Sequence, residues 1–371
     1  MNDQDWGAPE SEILETIRRV QKSDSQAVIA HIVNVEGSAY RRPGAKMVVF
    51  ENRVGVGNIT AGCLEGEVLD IASKVLETRT PLLQTYDLMQ DRDDMWGLGV
   101  GCNGIIDILL EQIDSSYQPI LDAIDQGHPI GVATILSGDA PLGTKAYYTE
   151  DTGFSTSEDI PNWLSNELTT ILPSLLRKGK STTMDLETSS GKARIFVDII
   201  APIPQLIVIG TGNDVAPVVD VGKINGFSVS IISFRKGINI SEKFPNADQF
   251  YYSSPTSISS IVELNTNTYV VIMTHNFVDD RLALEHLLST PVNYIGLLGP
   301  QNRFEEMLSE FSAEGKDISS NFHRIFTPIG LDLGGGSPYQ IATSIISEVL
   351  SIHNQRSSGH LRDRQGPIHD R

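Results

Sequence analysis

The second half of the chain repeats a pattern that few folds satisfy. From Gln205 onward, an apolar run, a glycine-containing turn and a helical segment follow one another, as in LIVIGTGNDVAPVVDVGKING, FSVSIISFRKG, TYVVIMTHNFVDDRLALEHLL and VNYIGLLGPQNRFEEML. A last helical segment, SPYQIATSIISEVLSI, ends the series. Strands that alternate with helices in this way predict a doubly wound parallel sheet with helices on both faces.

Unusual residues follow the predicted strands. They are Gly210-Thr211-Gly212, Arg235-Lys236, Thr274-His275-Asn276 and Gly299-Pro300. The carboxyl ends of parallel strands share one edge of a sheet, and ligands bind there at the point where the strand order reverses. We therefore expect these four segments to converge on one ligand cleft, with His275 as a candidate functional residue.

The glycine turn leaves the identity of that ligand open. Gly210 and Gly212 match the first two glycines of a dinucleotide-binding turn, but Val215 stands at the third glycine position. After the second strand the chain has Ser-Phe-Arg235 where an acidic residue would bind a ribose hydroxyl, so this end suits a phosphate. A Rossmann-like domain that binds no nucleotide is the alternative.

The first half of the chain mixes helices and strands and predicts a separate α+β domain. Residues 11–21 form an amphipathic helix with Ser11 as its cap, and residues 26–37 form a strand. Residues 47–57 form a hairpin that reverses at Glu51-Asn52. The remaining elements up to residue 200 continue the same domain.

The domain limits follow from prolines and polar sequence. Two prolines in residues 201–204 favour an extended linker between a domain of residues 1–200 and a domain of residues 205–353. The polar stretch 354–371 predicts a disordered tail. The predicted architecture is α/β overall, an N-terminal α+β domain followed by a Rossmann-like doubly wound parallel-sheet domain.

Cys63 lies where a strand-like run meets a helix, in the stretch NITAGCLEGE. Unpaired amides and the positive end of the helix dipole stabilise a thiolate there, whereas Glu65 and Glu67 oppose it by charge repulsion. Gly62 and Gly66 expose backbone to whatever approaches the sulfur. A small packing residue is the alternative role for this cysteine.

Cys102 lies in a second glycine-rich stretch. Gly97, Gly99, Gly101 and Gly104 surround it just before an apolar strand. Four glycines in so short a stretch indicate a backbone that approaches a ligand or another backbone closely, or a bulged edge strand.

Charge and composition exclude several classes of protein. The chain has 28 Lys and Arg against 47 Asp and Glu, a formal net charge of −19, and this field repels the phosphates of nucleic acid. We find neither a signal peptide nor the roughly 20 consecutive apolar residues of a membrane helix. Two cysteines form no disulfide framework. We therefore expect a cytoplasmic protein that binds neither nucleic acid nor membrane.

Seven segments, in order, resemble one known family. GSAYRRPGAKMVV, NITAGCLEGEVLD and GLGVGCNGIIDILLE resemble the N-terminal signatures of the XdhC/CoxI family. LIVIGTGNDVAPV, VVIMTHNFVDDRLALEHL, YIGLLGPQNRFEEML and PIGLDLGGGSPYQIATSIISEVL resemble its C-terminal Rossmann-like domain. The chain differs from the usual family pattern at Asn213, where members carry His, and near Ser233, where members carry an acidic residue.

The resemblance implies a maturation factor for a molybdenum hydroxylase such as xanthine dehydrogenase or carbon monoxide dehydrogenase. Such a protein binds molybdenum cofactor (molybdopterin), protects it while a cysteine desulfurase supplies the sulfido ligand, and passes it to the apo-enzyme. The resemblance also implies a homodimer, and an accessory factor rather than an enzyme with its own catalytic residues.

The resemblance assigns roles to particular residues. Cys63 is the cofactor-associated cysteine and is expected to contact molybdenum, since a thiolate is a soft ligand. The glycines would shape the pocket, the arginines would neutralise phosphate, and Cys102 would be a second ligand or a packing residue. The expected cofactor-binding residues are Cys63, Gly62, Gly66, Arg41, Arg42, Gly99, Gly101 and Cys102, with Gly210, Gly212, Arg235 and His275 for a nucleotide in the second domain.

Two other functions remain open on the sequence alone. One is an NAD(P)-dependent oxidoreductase that uses His275 as its acid or base. The other is a non-catalytic scaffold that docks a desulfurase onto its target enzyme and does not need Cys63.

Overall fold

The computed structural model describes residues 9–23, 25–60, 62–88 and 103–365. The chain divides into two compact units, the first ending at Pro202 and the second beginning at Ile203. The predicted site residues Gly99, Gly101 and Cys102 lie outside the described residues.

The first unit begins with a five-stranded antiparallel sheet. Its helices and strands are α1 (Glu10–Gln21), β1 (Ala27–Ser38), β2 (Lys46–Phe50), β3 (Gly55–Gly57), α2 (Glu65–Thr78), β4 (Leu82–Asp87) and β5 (Asn103–Gln112). The strand order is β3-β2-β1-β5-β4. Helix α2 packs its buried residues, among them Val68, Ala72 and Val75, against the core of this sheet.

The same arrangement of helices and strands then occurs a second time within the first unit. Its elements are α3 (Gln118–Asp125), β6 (Ile130–Gly138), β7 (Lys145–Thr149), β8 (Gly153–Thr156), α4 (Asn162–Lys178), β9 (Thr182–Thr188) and β10 (Gly191–Ile200). The strand order β8-β7-β6-β10-β9 is the order of the first sheet, strand for strand. We refer to residues 10–112 and 118–200 as the first and second repeats.

A small apolar cluster and two ion pairs join the repeats. Buried side chains from both sheets form the apolar cluster: Val33, Leu109, Leu136 and Phe196. Lys46 of the first repeat pairs with Asp198 of the second at 2.9 Å. Lys145 of the second repeat pairs with Glu111 of the first at 2.7 Å. Lys46 and Lys145 each begin the second strand of their repeat, so the two ion pairs are reciprocal.

Burial perturbs the groups at this junction. Burial, with the charge of Lys46 acting in the same direction, lowers the pKa of His31 to about 3. Burial alone would lower the pKa of Lys46, but Asp198 and Glu10 raise it above its usual value. The junction therefore holds a charged lysine next to a neutral histidine.

Local sequence signals predicted most elements of the first unit. The hairpin of β2 and β3 is confirmed, with its reversal between Phe50 and Gly55. The prediction of Ser11 as a helix cap is wrong: α1 begins at Glu10, Pro9 is the capping residue, and no side chain caps the helix. Strand β8 was not predicted, because four residues with a glycine at the start carry almost no periodic signal.

The second unit is a doubly wound parallel sheet, as predicted. Its strands are β11 (Gln205–Ile209), β12 (Ser228–Ser233), β13 (Gln249–Tyr252), β14 (Thr268–Ile272), β15 (Tyr294–Leu297) and β16 (Ile325–Phe326). They lie in the order β13-β12-β11-β14-β15-β16, which is the strand order of a dinucleotide-binding Rossmann sheet. The strand order reverses between β11 and β14.

Helices cover this sheet on both faces. They are α5 (Val215–Ile224), α6 (Ile240–Lys243), α7 (Phe277–Leu288), α8 (Gln301–Ala313) and α9 (Pro338–His353). One apolar core packs α5 and α9 against the sheet, and another packs α7 and α8. Beyond α9 the described chain continues to residue 365 and includes a short 3₁₀ helix at Leu361–Asp363. None of the helices in the described ranges is long and apolar enough to cross a membrane.

Candidate functional site

Three connections of the first repeat meet at one end of its sheet. Strand β1 runs towards this end, where Gly37 pairs with Gly104. Strand β3 ends here as well, because Gly57 pairs with Met47 near the start of β2. Strand β4 ends here because Asp87 pairs with Ile105. The β1–β2 loop, the turn before α2 and the connection that leaves β4 and returns at β5 therefore share this end.

The structure thus brings together predicted residues that are distant in sequence. Arg41 and Arg42 lie in the β1–β2 loop, and Cys63 lies in the turn before α2. Ala39, Ala45, Cys63 and Leu88, which come from all three connections, pack against the same apolar cluster. Cys63 is half-buried, so it packs against this cluster and is also accessible from outside.

A buried carboxylate organises the turn around the cysteine. The Glu65 side chain is 1% exposed and accepts hydrogen bonds from the Thr60 amide (2.6 Å), the Thr60 hydroxyl (2.6 Å) and the Gly62 amide (3.0 Å). The amides of Ile59 and Leu64 also donate to it. No cation pairs with Glu65 in the described structure, so these hydrogen bonds alone satisfy its charge. We call residues 58–60 and 62–64 the Cys63 turn.

The Thr60 hydroxyl continues this network to the cysteine. It accepts hydrogen bonds from the amides of Cys63 and Leu64, both at 3.1 Å. The expectation of unpaired amides around the sulfur is therefore wrong for Cys63 itself and for its neighbours Gly62 and Leu64. Across the described structure, the amides of Gly66 and Glu67 in the first turn of α2 have no protein acceptor. These two amides are therefore the groups at the start of α2 that can bind an anion.

Among the described residues, nothing packs against the two glycines beside Cys63. A Cβ atom added at Gly62 or Gly66 would meet no atom of the described residues within 4 Å. Gly62 has φ +107°, a conformation that favours glycine. Gly66 lies inside α2, where glycine costs about 1 kcal/mol relative to alanine, and neither its conformation nor its neighbours require it. The described residues therefore give no structural reason for a glycine at position 66.

Cationic and polar groups also lie at this end. Arg41 is half-buried and Arg42 is exposed, and neither forms an ion pair with a described residue. Tyr86, near the end of β4, is 7% exposed, and its hydroxyl has no partner among the described residues. Burial and the nearby charge of Glu67 raise the pKa of Tyr86 above its usual value, so the hydroxyl stays protonated and can donate.

The second repeat lacks these features. Its last two strands are joined by a tight turn between Thr188 and Gly191, in place of the 15-residue connection between Asp87 and Asn103. Its loop after β6 contains no arginine, and the segment that leads from β8 into α4 contains no cysteine. A cavity of about 480 Å³ borders this loop, lined in part by Gly143, Lys145 and Glu111. The cavity contains none of the predicted site residues.

In the second unit, residues from all four strand-end segments line two cavities, where the sequence predicted one cleft, and Lys236 and Asn276 line neither cavity. A cavity of about 260 Å³ at the carboxyl edge of the sheet is lined by Gly210, Thr211, Gly212, Ser233, Phe234, Arg235, Ile238, Thr274, His275 and Asp279. A second cavity of about 390 Å³ is lined by His275, Leu298, Gly299, Pro300, Arg303, Pro328 and Ile329. His275 is common to both cavities, which therefore flank it at the point where the strand order reverses.

His275 is held in an unusual backbone conformation. Its φ of +61° lies in the left-handed region, and its Nε2 atom lies 2.9 Å from the Asp214 carboxylate. Next to it, buried Asp280 accepts hydrogen bonds from Thr274 and from Arg303. Asp214 was not predicted as part of the cleft. Its position at the start of the helix that follows the glycine turn was the available signal.

Ser233 lies at the end of β12, where sheets that bind an unphosphorylated ribose carry an acidic residue. Ser233 is 2% exposed, and its hydroxyl bonds both the amide and the carbonyl of Arg235. The Arg235 side chain is exposed and pairs with no described carboxylate. The described ranges contain no group of three or more His, Cys, Asp or Glu side chains that could hold a metal ion.

Comparisons with known proteins agree with both units. Residues 20–87 match the XdhC and CoxI family, and residues 206–349 match the XdhC Rossmann domain. A Bacillus subtilis protein described as a probable subunit of xanthine dehydrogenase is 31% identical over 338 residues, which cover 90% of this chain and 95% of the relative. The uncharacterized Escherichia coli protein YqeB is 24% identical over 170 residues, which cover 46% of this chain and 31% of that protein.

A solved structure supports the same assignment. The crystal structure of a protein described as a xanthine dehydrogenase from Bacillus halodurans superposes with a TM-score of 0.74 and is 28% identical in sequence. The superposition covers 96% of this chain and 97% of that one. Sequence identity and fold agree over nearly the whole length, and the chain belongs to the XdhC and CoxI family.

Proposed function

We propose that this protein binds molybdenum cofactor at the Cys63 end of the first repeat and delivers it to an apo molybdenum hydroxylase of the xanthine dehydrogenase type. The two related Bacillus proteins, which are named for xanthine dehydrogenase, support an accessory role beside such an enzyme. The cofactor is cargo that the protein holds and passes on. Sulfuration by a cysteine desulfurase would take place while the cofactor is held.

The observation that carries the proposal is the bare helix start beside Cys63. In the described ranges, no residue packs against Gly66 or requires it to lack a side chain, and the Gly66 and Glu67 amides have no acceptor there. These amides, at the positive end of a 14-residue helix, suit the phosphate of a pterin cofactor. Arg41 and Arg42 add positive charge that no described carboxylate neutralises.

Cys63 would supply the contact to the metal centre. A thiolate is a soft ligand suited to a thiolate-rich molybdenum centre, and the Cys63 turn is fixed by the hydrogen bonds of Glu65 and Thr60. The Tyr86 hydroxyl is a further donor at this end. The Cys63 turn thus offers one sulfur in a fixed position next to an anion site.

The test is cofactor retention by purified wild type and three variants. After anaerobic mixing and gel filtration, we expect molybdenum and pterin to co-elute with wild type and not with Cys63→Ser. Gly66→Ala should raise helix stability by about 0.5–1 kcal/mol while weakening retention, because the added methyl group obstructs only an external ligand. Thr78→Ala, at the other end of α2, is the matched control and should leave retention unchanged.

Two results would contradict the proposal. If Cys63→Ser retains the cofactor as well as wild type does, the Cys63 sulfur is not part of the binding site. Retention by neither protein, together with a complex of desulfurase and target enzyme that forms without Cys63, would favour the scaffold function. The homodimer and the cytoplasmic location stay predictions, and light scattering on the purified protein tests the first.

A further inference from the structure

The second unit contains a built cleft that the proposed delivery of a molybdenum cofactor does not use. Its two cavities flank His275 at the carboxyl edge of the sheet. The first lies among the loops that follow β11, β12 and β14, and the second among the loops that follow β14, β15 and β16. In sheets of this order, a dinucleotide lies across the point where the strand order reverses, with one half on each side. The division of the cleft into two cavities matches a ligand made of two halves.

One end of the cleft has the positive charge that binding a phosphate ester requires. Enzymes that bind the unphosphorylated ribose place a carboxylate at the end of the second strand, where it accepts from the 2′-hydroxyl. Here the position is Ser233, whose hydroxyl is already bonded to the backbone of Arg235. Arg235 lines the cavity, and no described carboxylate neutralises Arg235 or Lys236. The charge at this end therefore favours an additional phosphate.

The adjoining surfaces suit the rest of an adenosine. Phe234 and Ile238 are half-buried and give the same cavity apolar walls. Towards the middle of the cleft, the amides of Thr211, Gly212 and Asn213 have no acceptor within the described structure. The Lys243 ammonium lies beside them and donates to the Thr211 carbonyl at 2.6 Å. A diphosphate placed at this glycine turn would meet both the amides and a cation.

Two carboxylates lie at this part of the cleft: Asp279 lines the first cavity, and Asp214 lies at the glycine turn, where its charge opposes a diphosphate. Asp214 extends over Gly212, since a Cβ at Gly212 would lie 2.2 Å from an Asp214 carboxylate oxygen. Its partner is His275, at 2.9 Å. The ligand therefore binds against the charge of Asp214, and removing that charge should tighten binding.

We propose that this cleft binds an adenine dinucleotide that carries a 2′-phosphate. Arg235 and Lys236 hold the 2′-phosphate, the glycine turn holds the diphosphate, and the second cavity receives the other nucleoside. This site belongs to the second unit and the Cys63 end belongs to the first, and the proposal does not depend on whether the Cys63 end holds molybdenum cofactor.

The test is a titration of the full-length protein with NADPH, NADH and 2′,5′-ADP at one fixed ionic strength. Binding is followed by the fluorescence of the reduced nicotinamide and, for 2′,5′-ADP, by displacement of NADPH. We expect NADPH to bind at least tenfold more tightly than NADH, and 2′,5′-ADP to displace it. Arg235→Ala should weaken NADPH binding about tenfold with little effect on NADH, and Asp214→Asn should tighten NADPH binding.

Arg177→Ala is the matched control, because it removes one arginine charge from α4 in the first unit. It should leave NADPH binding unchanged. The proposal is overturned if wild type does not bind NADPH, if NADH binds as tightly as NADPH, or if Arg235→Ala has no more effect than Arg177→Ala. Retention of molybdenum cofactor is read separately on the Cys63 variants, so failure of one proposal leaves the other standing.

Discussion

Glu65→Gln is the sharpest test of how the Cys63 turn is held. One carboxylate oxygen of Glu65 accepts from two donors and the other accepts from three. A glutamine amide presents an NH₂ group at one of these positions, so in either orientation at least two donors of the turn lose their acceptor. Hydrogen bonds to a charged group contribute about 1.5–3 kcal/mol each. We therefore expect a loss of about 3 kcal/mol or more in the free energy of unfolding of the first unit.

Glu67→Gln is the matched control for that substitution. It makes the same chemical change two residues later on the exposed side of α2, so it removes the favourable interaction with the helix dipole and the charge near Tyr86, but no buried hydrogen bond. We expect a cost of about 0.3–1 kcal/mol from the control. The difference between the two variants isolates the buried hydrogen bonds from the effect of charge at the helix start.

Urea unfolding followed by tryptophan fluorescence measures the difference selectively. All three tryptophans, Trp6, Trp96 and Trp163, fall within the sequence of the first unit, and Trp163 packs against one of its cores, so a change in Trp163 fluorescence reports on that unit. The reaction rate of the Cys63 thiol with a disulfide reagent, assigned by peptide mapping to separate it from Cys102, should also rise in Glu65→Gln. Equal stabilities of the two variants, or an unchanged thiol rate, would refute the role of Glu65 in fixing the turn.

Two further predictions concern the junction of the repeats. The pKa of His31 is lowered to about 3, so between pH 6.5 and pH 3 the unfolded chain binds a proton that the folded chain does not. The contribution of His31 to the free energy of unfolding is therefore complete above pH 6.5. Below pH 6.5 it falls by about 1.4 kcal/mol per pH unit. Urea unfolding of wild type and His31→Gln at pH 7 and pH 5.5 should show wild type losing about 1 kcal/mol more than the variant, and parallel losses would contradict this. Lys145→Met should cost about 3–5 kcal/mol because it leaves Glu111 buried without its cation, and the double variant Lys145→Met/Glu111→Leu should recover part of that loss. A double variant less stable than Lys145→Met, measured in the same way, would show that the ion pair is not the source of the effect.

The parallel sheet was predictable because its signals are local. The apolar strands β11, β12, β14 and β15 are each followed within a few residues by a turn and a helix, and the chemistry of the site falls at the strand ends, as with Gly210 and His275. The short strands β13 and β16 carry no such signal and were not predicted. The antiparallel sheets depend on pairings between distant strands, such as Val28 with Gln112, that no short window of sequence reveals. For the same reason the sequence showed that Cys63 and Arg41 were candidates but not that their loops share one end of a sheet.

The roles of the acidic residues were the hardest to predict. Glu65 and Glu67 are alike in sequence, and charge repulsion on a nearby thiolate applies to both. Only the structure shows that Glu65 is buried and directs its charge to the amides of the Cys63 turn, while Glu67 remains exposed. Asp214 is similar, since a residue typical of a helix start proves to pair with His275 in the cleft. Which hydrogen bonds a carboxylate accepts depends on its three-dimensional surroundings.

The repeated architecture of the first unit explains where its proposed site can be. Both repeats share the strand order and the lysine at the start of the second strand, so these features serve folding and the junction between the repeats. The features found in the first repeat and missing from the second are the arginines of the β1–β2 loop, the cysteine before α2 and the long connection from β4 to β5. The arginines, the cysteine and the two ends of that connection lie at one end of one sheet, although folding alone does not require any of them, since the second repeat forms the same sheet without them. The second repeat is thus an internal control for the first, and the difference between them supports the Cys63 end as the functional site.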